Sequence, residues 1–151
     1  MNELDLHKVG VRGINSQLHS LPKNTNEKHW VIHNPMGQHS IAVGLDAPLQ
    51  IDIRGHVGFY CGGMNKDAEL TIHGHAGVGT AENMMSGVVW VKGKVASLGA
   101  DCIEKEMRPE HLADLERLLK AAERKEKPSD FRRYGSARKL YNFSVDHADA
   151  Y

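Results

Sequence analysis

Residues 51–99 read IDIRGHVGFYCGGMNKDAELTIHGHAGVGTAENMMSGVVWVKGKVASLG, ten glycines set among alternating Val, Ile and Leu. Glycine weakens a strand interior, whereas apolar alternation builds one. Three segments reconcile the two. IDIRGHVG (51–58), LTIHGHAG (70–77) and VWVKGKVA (89–96) superpose with their central glycines, Gly55, Gly74 and Gly93, at intervals of 19 residues. Apolar residues recur in three columns: Ile51, Leu70 and Val89; Ile53, Ile72 and Val91; Val57, Ala76 and Val95. Basic residues and histidines recur between them, as Arg54, His73 and Lys92, and as His56, His75 and Lys94. One short strand and one glycine corner per period is the signature of a parallel β-solenoid, each coil burying its inward residues against its neighbours. An antiparallel meander explains the alternation but not three matched columns at equal spacing.

The flanks change character. Ile14, Leu18 and Leu21 lie at helical spacing within 11–21, and a polar linker follows from Pro22 to Lys28. Residues 109–125, PEHLADLERLLKAAERK, predict a helix. Pro109 suits its first turn, and Leu112, Leu115, Leu118, Leu119 and Ala122 form one apolar face. Glu110 near its start and Arg124 and Lys125 near its end suit the helix dipole, and Pro128 closes it. The last stretch holds Phe131, Tyr134, Leu140, Tyr141 and Phe143, too aromatic for a free tail, and is expected to dock on the solenoid or on a partner.

Bulk properties bound the function. A chain of 151 residues suits one domain with a modest core. Lys plus Arg and Asp plus Glu both count 19, so overall charge makes no case for a nucleic-acid partner. No apolar run reaches the length of a membrane span, and the polar start is unlike a signal peptide. With no export signal, Cys61 and Cys102 are expected to be reduced and the protein cytoplasmic.

Several constellations could carry chemistry. His73 and His75 share a strand face, with His56 one coil away, which raises a metal-binding reading. Their columns also hold Arg54, Lys92 and Lys94, which repel a cation, so a basic outer ridge is the better reading and no metal ligand is assigned. GHAGVG (74–79) lacks the spacing and the following helix of a dinucleotide site. Cys61 and Cys102 read as buried structural thiols, and Met64, Met84 and Met85 as core fillers. No catalytic and no cofactor-binding residue is assigned. Arg132, Arg133, Tyr134, Arg138 and Tyr141 are candidate partner-docking residues; because the chain is neutral and Asp146 and Asp149 follow, a protein partner is expected rather than RNA.

NPMGQHSIAVGLDAPLQIDIRGHVGFYCGGMN, AENMMSG, SLGADC, FRRYGSARKLYNF and, near the start, VRGINSQLH resemble the GXGXG-domain proteins. That family includes the C-terminal domain of the glutamate synthase large subunit and an accessory chain of formylmethanofuran dehydrogenase. The resemblance is nearest to its stand-alone members, the GlxC-type proteins and the small β-helix chain of N-methylglutamate synthase, and covers nearly the whole chain. It implies an all-β core, a short right-handed parallel β-helix over 29–102. The flanks would be an N-terminal helix and linker (1–28) and a C-terminal helix with a docking tail (103–151). It also implies a non-catalytic scaffold subunit of a glutamate-synthase-like complex, holding a glutamine amidotransferase chain against an FMN-binding synthase chain, with the FMN on that partner. Two alternatives stay open: an accessory subunit of a formylmethanofuran-dehydrogenase-like oxidoreductase, and a small enzyme or His-based metal-binding protein. Family members carry further coils between segments that here meet at Gly93–Lys94. The last coil, with Val89, Val91 and Val95, is therefore expected to face an open end, covered by Leu115, Leu118 and Leu119 or by a second copy of the chain in a homo-oligomer.

Overall fold

The computed structural model describes residues 2–138. In chain order they form β1 (Asn2–Asp5), α1 (Leu6–His19), β2 (His29–His33), β3 (Gln50–Arg54), β4 (Glu69–Ile72), β5 (Val88–Val91), β6 (Cys102–Lys105), α2 (Pro109–Ala121), a 3-10 turn (Pro128–Asp130) and β7 (Arg132–Ser136). The strands make one sheet in the order β1-β2-β3-β4-β5-β7-β6. The first five are parallel, and the register repeats the columns of the sequence: Ile51 opposite Leu70 opposite Val89, and Ile53 opposite Ile72 opposite Val91. From β2 to β5 the parallel strands are joined by turns rather than crossover helices, the sheet of a β-solenoid of about three coils, and the repeat reading holds. Inward residues of all coils meet in one core, from Ile32 through Ile53 and Ile72 to Val91.

The corner glycines are needed for close approach more than for unusual dihedrals. A Cβ on Gly74 would lie 2.7 Å from the carbonyl carbon of Gly55, and one on Gly93 2.6 Å from the carbonyl oxygen of Gly74. Only Gly55 of the three has φ in the region that favours glycine, at +143°.

The two ends of the stack are closed differently. At the first, β1 adds a parallel rung to β2, and α1 follows with Asp5 capping it by accepting the His7 N–H at 2.9 Å. The helix starts earlier than periodicity indicates and kinks at Gly10, whose φ is 71°. Asn15 then serves the first coil edge: its amide donates to the Ser40 carbonyl and accepts the Ala42 N–H, both at 2.8 Å. At the other end β7 runs antiparallel along β5, with Tyr134 opposite Val89 and Arg132 opposite Val91. The expected helical cover is thus a strand, because the strand edge of β5 needs backbone partners that a helix cannot supply.

Helix α2 instead lies on the outer face of the sheet. Leu115, Leu118 and Leu119 pack with Trp90 and Phe131, a second core separate from the solenoid interior. Trp90 alternates with the inward Val89 and Val91, so it projects outward and the helix buries it to 2 % exposure. The helix ends at Ala121, short of the expected Lys125. Glu123 turns to φ 59° and the Arg124 N–H returns to the Leu119 carbonyl at 2.8 Å, a left-handed C-terminal cap that ends the helix before Pro128 is reached.

Candidate functional site

The outward strand positions carry the chemistry of this fold. In one column Asp52, Thr71 and Trp90 are all buried beneath α2. In the next, Arg54 donates from its guanidinium to the Ala122 carbonyl at 2.6 Å, tying the end of α2 to β3. His73 follows, its side chain only 2 % exposed, between two carboxylates. Its Nε2 faces the Asp52 oxygens at 2.5 and 2.9 Å, and its Nδ1 contacts Glu126. Glu126 also accepts from the Arg124 guanidinium at 2.7 Å and has the Lys92 ammonium at 4.0 Å. Burial opposes ionisation of Glu126, but the hydrogen bonds from Arg124 and His73 and their charges prevail and hold its carboxyl down at about 2.

This corrects the expected basic ridge. Arg54 and His73 are not presented to solvent, because α2 and the loop after it cover their column and bring in acidic partners. The carboxylates sit on opposite nitrogens of the His73 ring, so the three donors do not converge on one point. Among the described residues no group of three His, Cys, Asp or Glu side chains is arranged to hold a metal ion. The outward Trp90 was the signal in the sequence that this face is covered.

The second column does form an exposed ridge. His56 and His75 stack with ring centroids 4.8 Å apart and planes 6° from parallel. Each ring accepts a backbone N–H from the following coil: His56 Nδ1 from His75 and His75 Nδ1 from Lys94, both at 2.8 Å. His56 and His75 therefore help hold coil to coil. His39 repeats the device one coil earlier, accepting the Phe59 N–H at 2.8 Å and stacking on the Phe59 ring.

The thiols lie inside. Cys61 is fully buried in the solenoid core, where desolvation pushes it up to about 12. Cys102 is buried on β6 and is raised to about 11, mainly by desolvation and then by the charge of Asp101. Met84 fills the core as expected, but Met64 is 59 % exposed at a turn with φ 56°, which points its side chain outward.

The candidate docking residues are divided by β7. Tyr134 is buried in the chain's own core, and Arg132 and Arg133 lie on the same strand, with Arg132 facing Glu104 at 3.5 Å and Arg133 donating to the Glu106 carbonyl at 3.1 Å. Arg138 follows the strand, its N–H donating to the Ser136 hydroxyl at 3.0 Å, and Tyr141 lies outside the described residues. This segment docks first on its own solenoid.

A curated relative, Protein GlxC of Rhizobium meliloti (strain 1021), is 36% identical over 228 aligned residues that take in 100% of both chains. The chain belongs to the GlxC family. No family model matches the chain, and no solved structure does. The GlxC alignment spans 228 positions against 151 residues here, which leaves 77 positions facing no residue of this chain. That surplus equals about four times the 19-residue period of this chain. After β5 this GlxC-family chain stays in step, with Ala76 bridging Val95 and Thr80 bridging Leu98. Among the described residues no helix is long and apolar enough to cross a membrane.

Proposed function

We propose that this GlxC-family chain is a non-catalytic scaffold subunit of a glutamate-synthase-like complex, of the N-methylglutamate synthase kind, within the GXGXG-domain proteins. It positions a cytoplasmic glutamine amidotransferase chain against an FMN-binding synthase chain, and FMN resides on the latter. The supporting observation is kinship with GlxC over the full length of a chain whose strands β1 to β5 form a parallel ladder. The chemistry of its reactive groups agrees with that reading. Both thiols are buried and raised, and the buried His73 is engaged at both ring nitrogens by carboxylates. Exposed apolar side chains in the turns, Phe59 and Val78 on successive coils and Tyr60 beside them, are each about half exposed and offer contact area to a partner.

The test is reconstitution. The chain is purified with a glutamine amidotransferase and an FMN-binding synthase from the same genome, and the mixture is run by size exclusion with glutamine-dependent synthesis assayed. One complex containing all three, with activity above that of the two enzymes alone, is the expected result. Failure of both enzymes to bind, or glutaminase activity from this chain by itself, overturns the scaffold reading.

A further inference from the structure

The last coil leaves part of its backbone edge open. β7 begins at Arg132, opposite Val91, so it covers β5 and stops where the corner turns. In the coils before, Val57 donates its N–H to the His75 carbonyl at 2.9 Å and Ala76 donates to the Lys94 carbonyl at 2.8 Å. The next group in this column is the Val95 N–H. The carbonyls of Gly74 and Ala76 accept from Gly93 and Ala96, and their successors are the carbonyls of Gly93 and Val95. Among the described residues these three groups on Gly93 and Val95 have no backbone partner. They border a cleft of about 730 Å³ between the last coil and the antiparallel β6–β7 pair. Val95, Leu98 and Tyr134 give it an apolar lining, and Lys92, Lys94, His75 and Arg132 make it basic against the single carboxylate of Glu104.

We propose that this edge, Gly93 to Leu98, is a docking site for an extended acidic segment of a partner protein, which adds a short strand to the last coil. Main-chain hydrogen bonds to Gly93 and Val95 supply affinity, and Lys94 with its neighbours selects negative charge. A small anion can accept the Val95 N–H but leaves the two carbonyls without a donor. A second copy meeting it edge to edge would set the same basic groups against each other. The inference needs the solenoid alone, so failure of the scaffold reading leaves it standing.

The full chain is titrated with an end-blocked peptide of about eight residues alternating glutamate and valine, followed by calorimetry and amide NMR. Expected are a shift of the Val95 amide and at least roughly tenfold slower hydrogen exchange there. Lys94→Glu weakens binding at least about tenfold without changing the melting temperature, and so does N-methylation of alternate peptide amides, which keeps the charge but removes the donors. Equal binding by the N-methylated peptide, equal binding by a lysine–valine peptide, displacement by oligouridylate RNA, or an unmoved Val95 amide at millimolar peptide each overturns the proposal.

Discussion

The His73 imidazole, just past β4, is in hydrogen-bond contact with the Glu126 carboxylate, 53 residues further along the chain. The contact fastens the loop after α2 to the outer face of the solenoid. It also sets the buried His73 of a basic column between two carboxylates, while Lys92 in the same column stays exposed.

Glu126→Gln is expected to lower stability by about 1–3 kcal/mol at pH 7, because it takes the carboxylate from Arg124 and from Nδ1 of His73, which keeps only Asp52. The folded value of about 2 lies below the ordinary 4.5, so the contribution is present above pH 4.5 and is lost as pH falls towards 2. Urea unfolding of both proteins across that window checks it: the gap between them closes on acidification.

Glu69 has the opposite sign. Burial raises its carboxyl, the charge of Asp114 adds to this, and Arg117 and the Trp90 indole only partly offset it. A raised folded value means that its contribution is full below pH 4.5 and lost as pH rises through that folded value. Glu69→Gln therefore raises the melting temperature at pH 7 and has no such effect at pH 3. A lowered melting temperature at pH 7 contradicts this assignment.

Close approach predicts a graded response at glycines. A Cβ on Gly74 would lie 2.6 Å from His56 Nδ1 and within 2.8 Å of the Gly55 carbonyl atoms, with coils above and below preventing relief. Gly74→Ala should cost about 1–3 kcal/mol or more by overpacking. Gly37→Ala meets nothing within 4 Å and bears only the strain of φ +71°, about 1 kcal/mol. Chemical denaturation of the two variants gives the order directly.

Trp90 joins the sheet to α2, and Trp90→Ala should cost about 3–5 kcal/mol. Truncation after Asp130 removes β7 and leaves β5 and β6 with unpaired edges. That chain should aggregate, seen as rising light scattering at concentrations where the full chain stays clear.

The thiols should resist modification. With Cys61 up at about 12 and Cys102 at about 11, both buried, a disulfide reagent at pH 8 labels neither until the chain unfolds. Rapid labelling of Cys61 in the folded protein contradicts its place in the core.

The solenoid and its register were legible before any coordinates. Ile53, Ile72 and Val91 repeat at the spacing of one coil, and Gly55, Gly74 and Gly93 mark the corner where coils touch. Those features are periodic, and each coil meets the next in the same way, so a one-dimensional pattern carries the three-dimensional contact. The leucine face of α2 was equally legible, but its target was not. Only the tertiary structure decided that α2 covers the outward Trp90, that β7 closes the edge of β5, and that His73 sits between Asp52 and Glu126. These contacts join segments of unlike pattern across long separations, each made once. A contact made once leaves no period in the sequence, and its partner is chosen by which apolar face and which unpaired strand edge remain open after the coils have stacked.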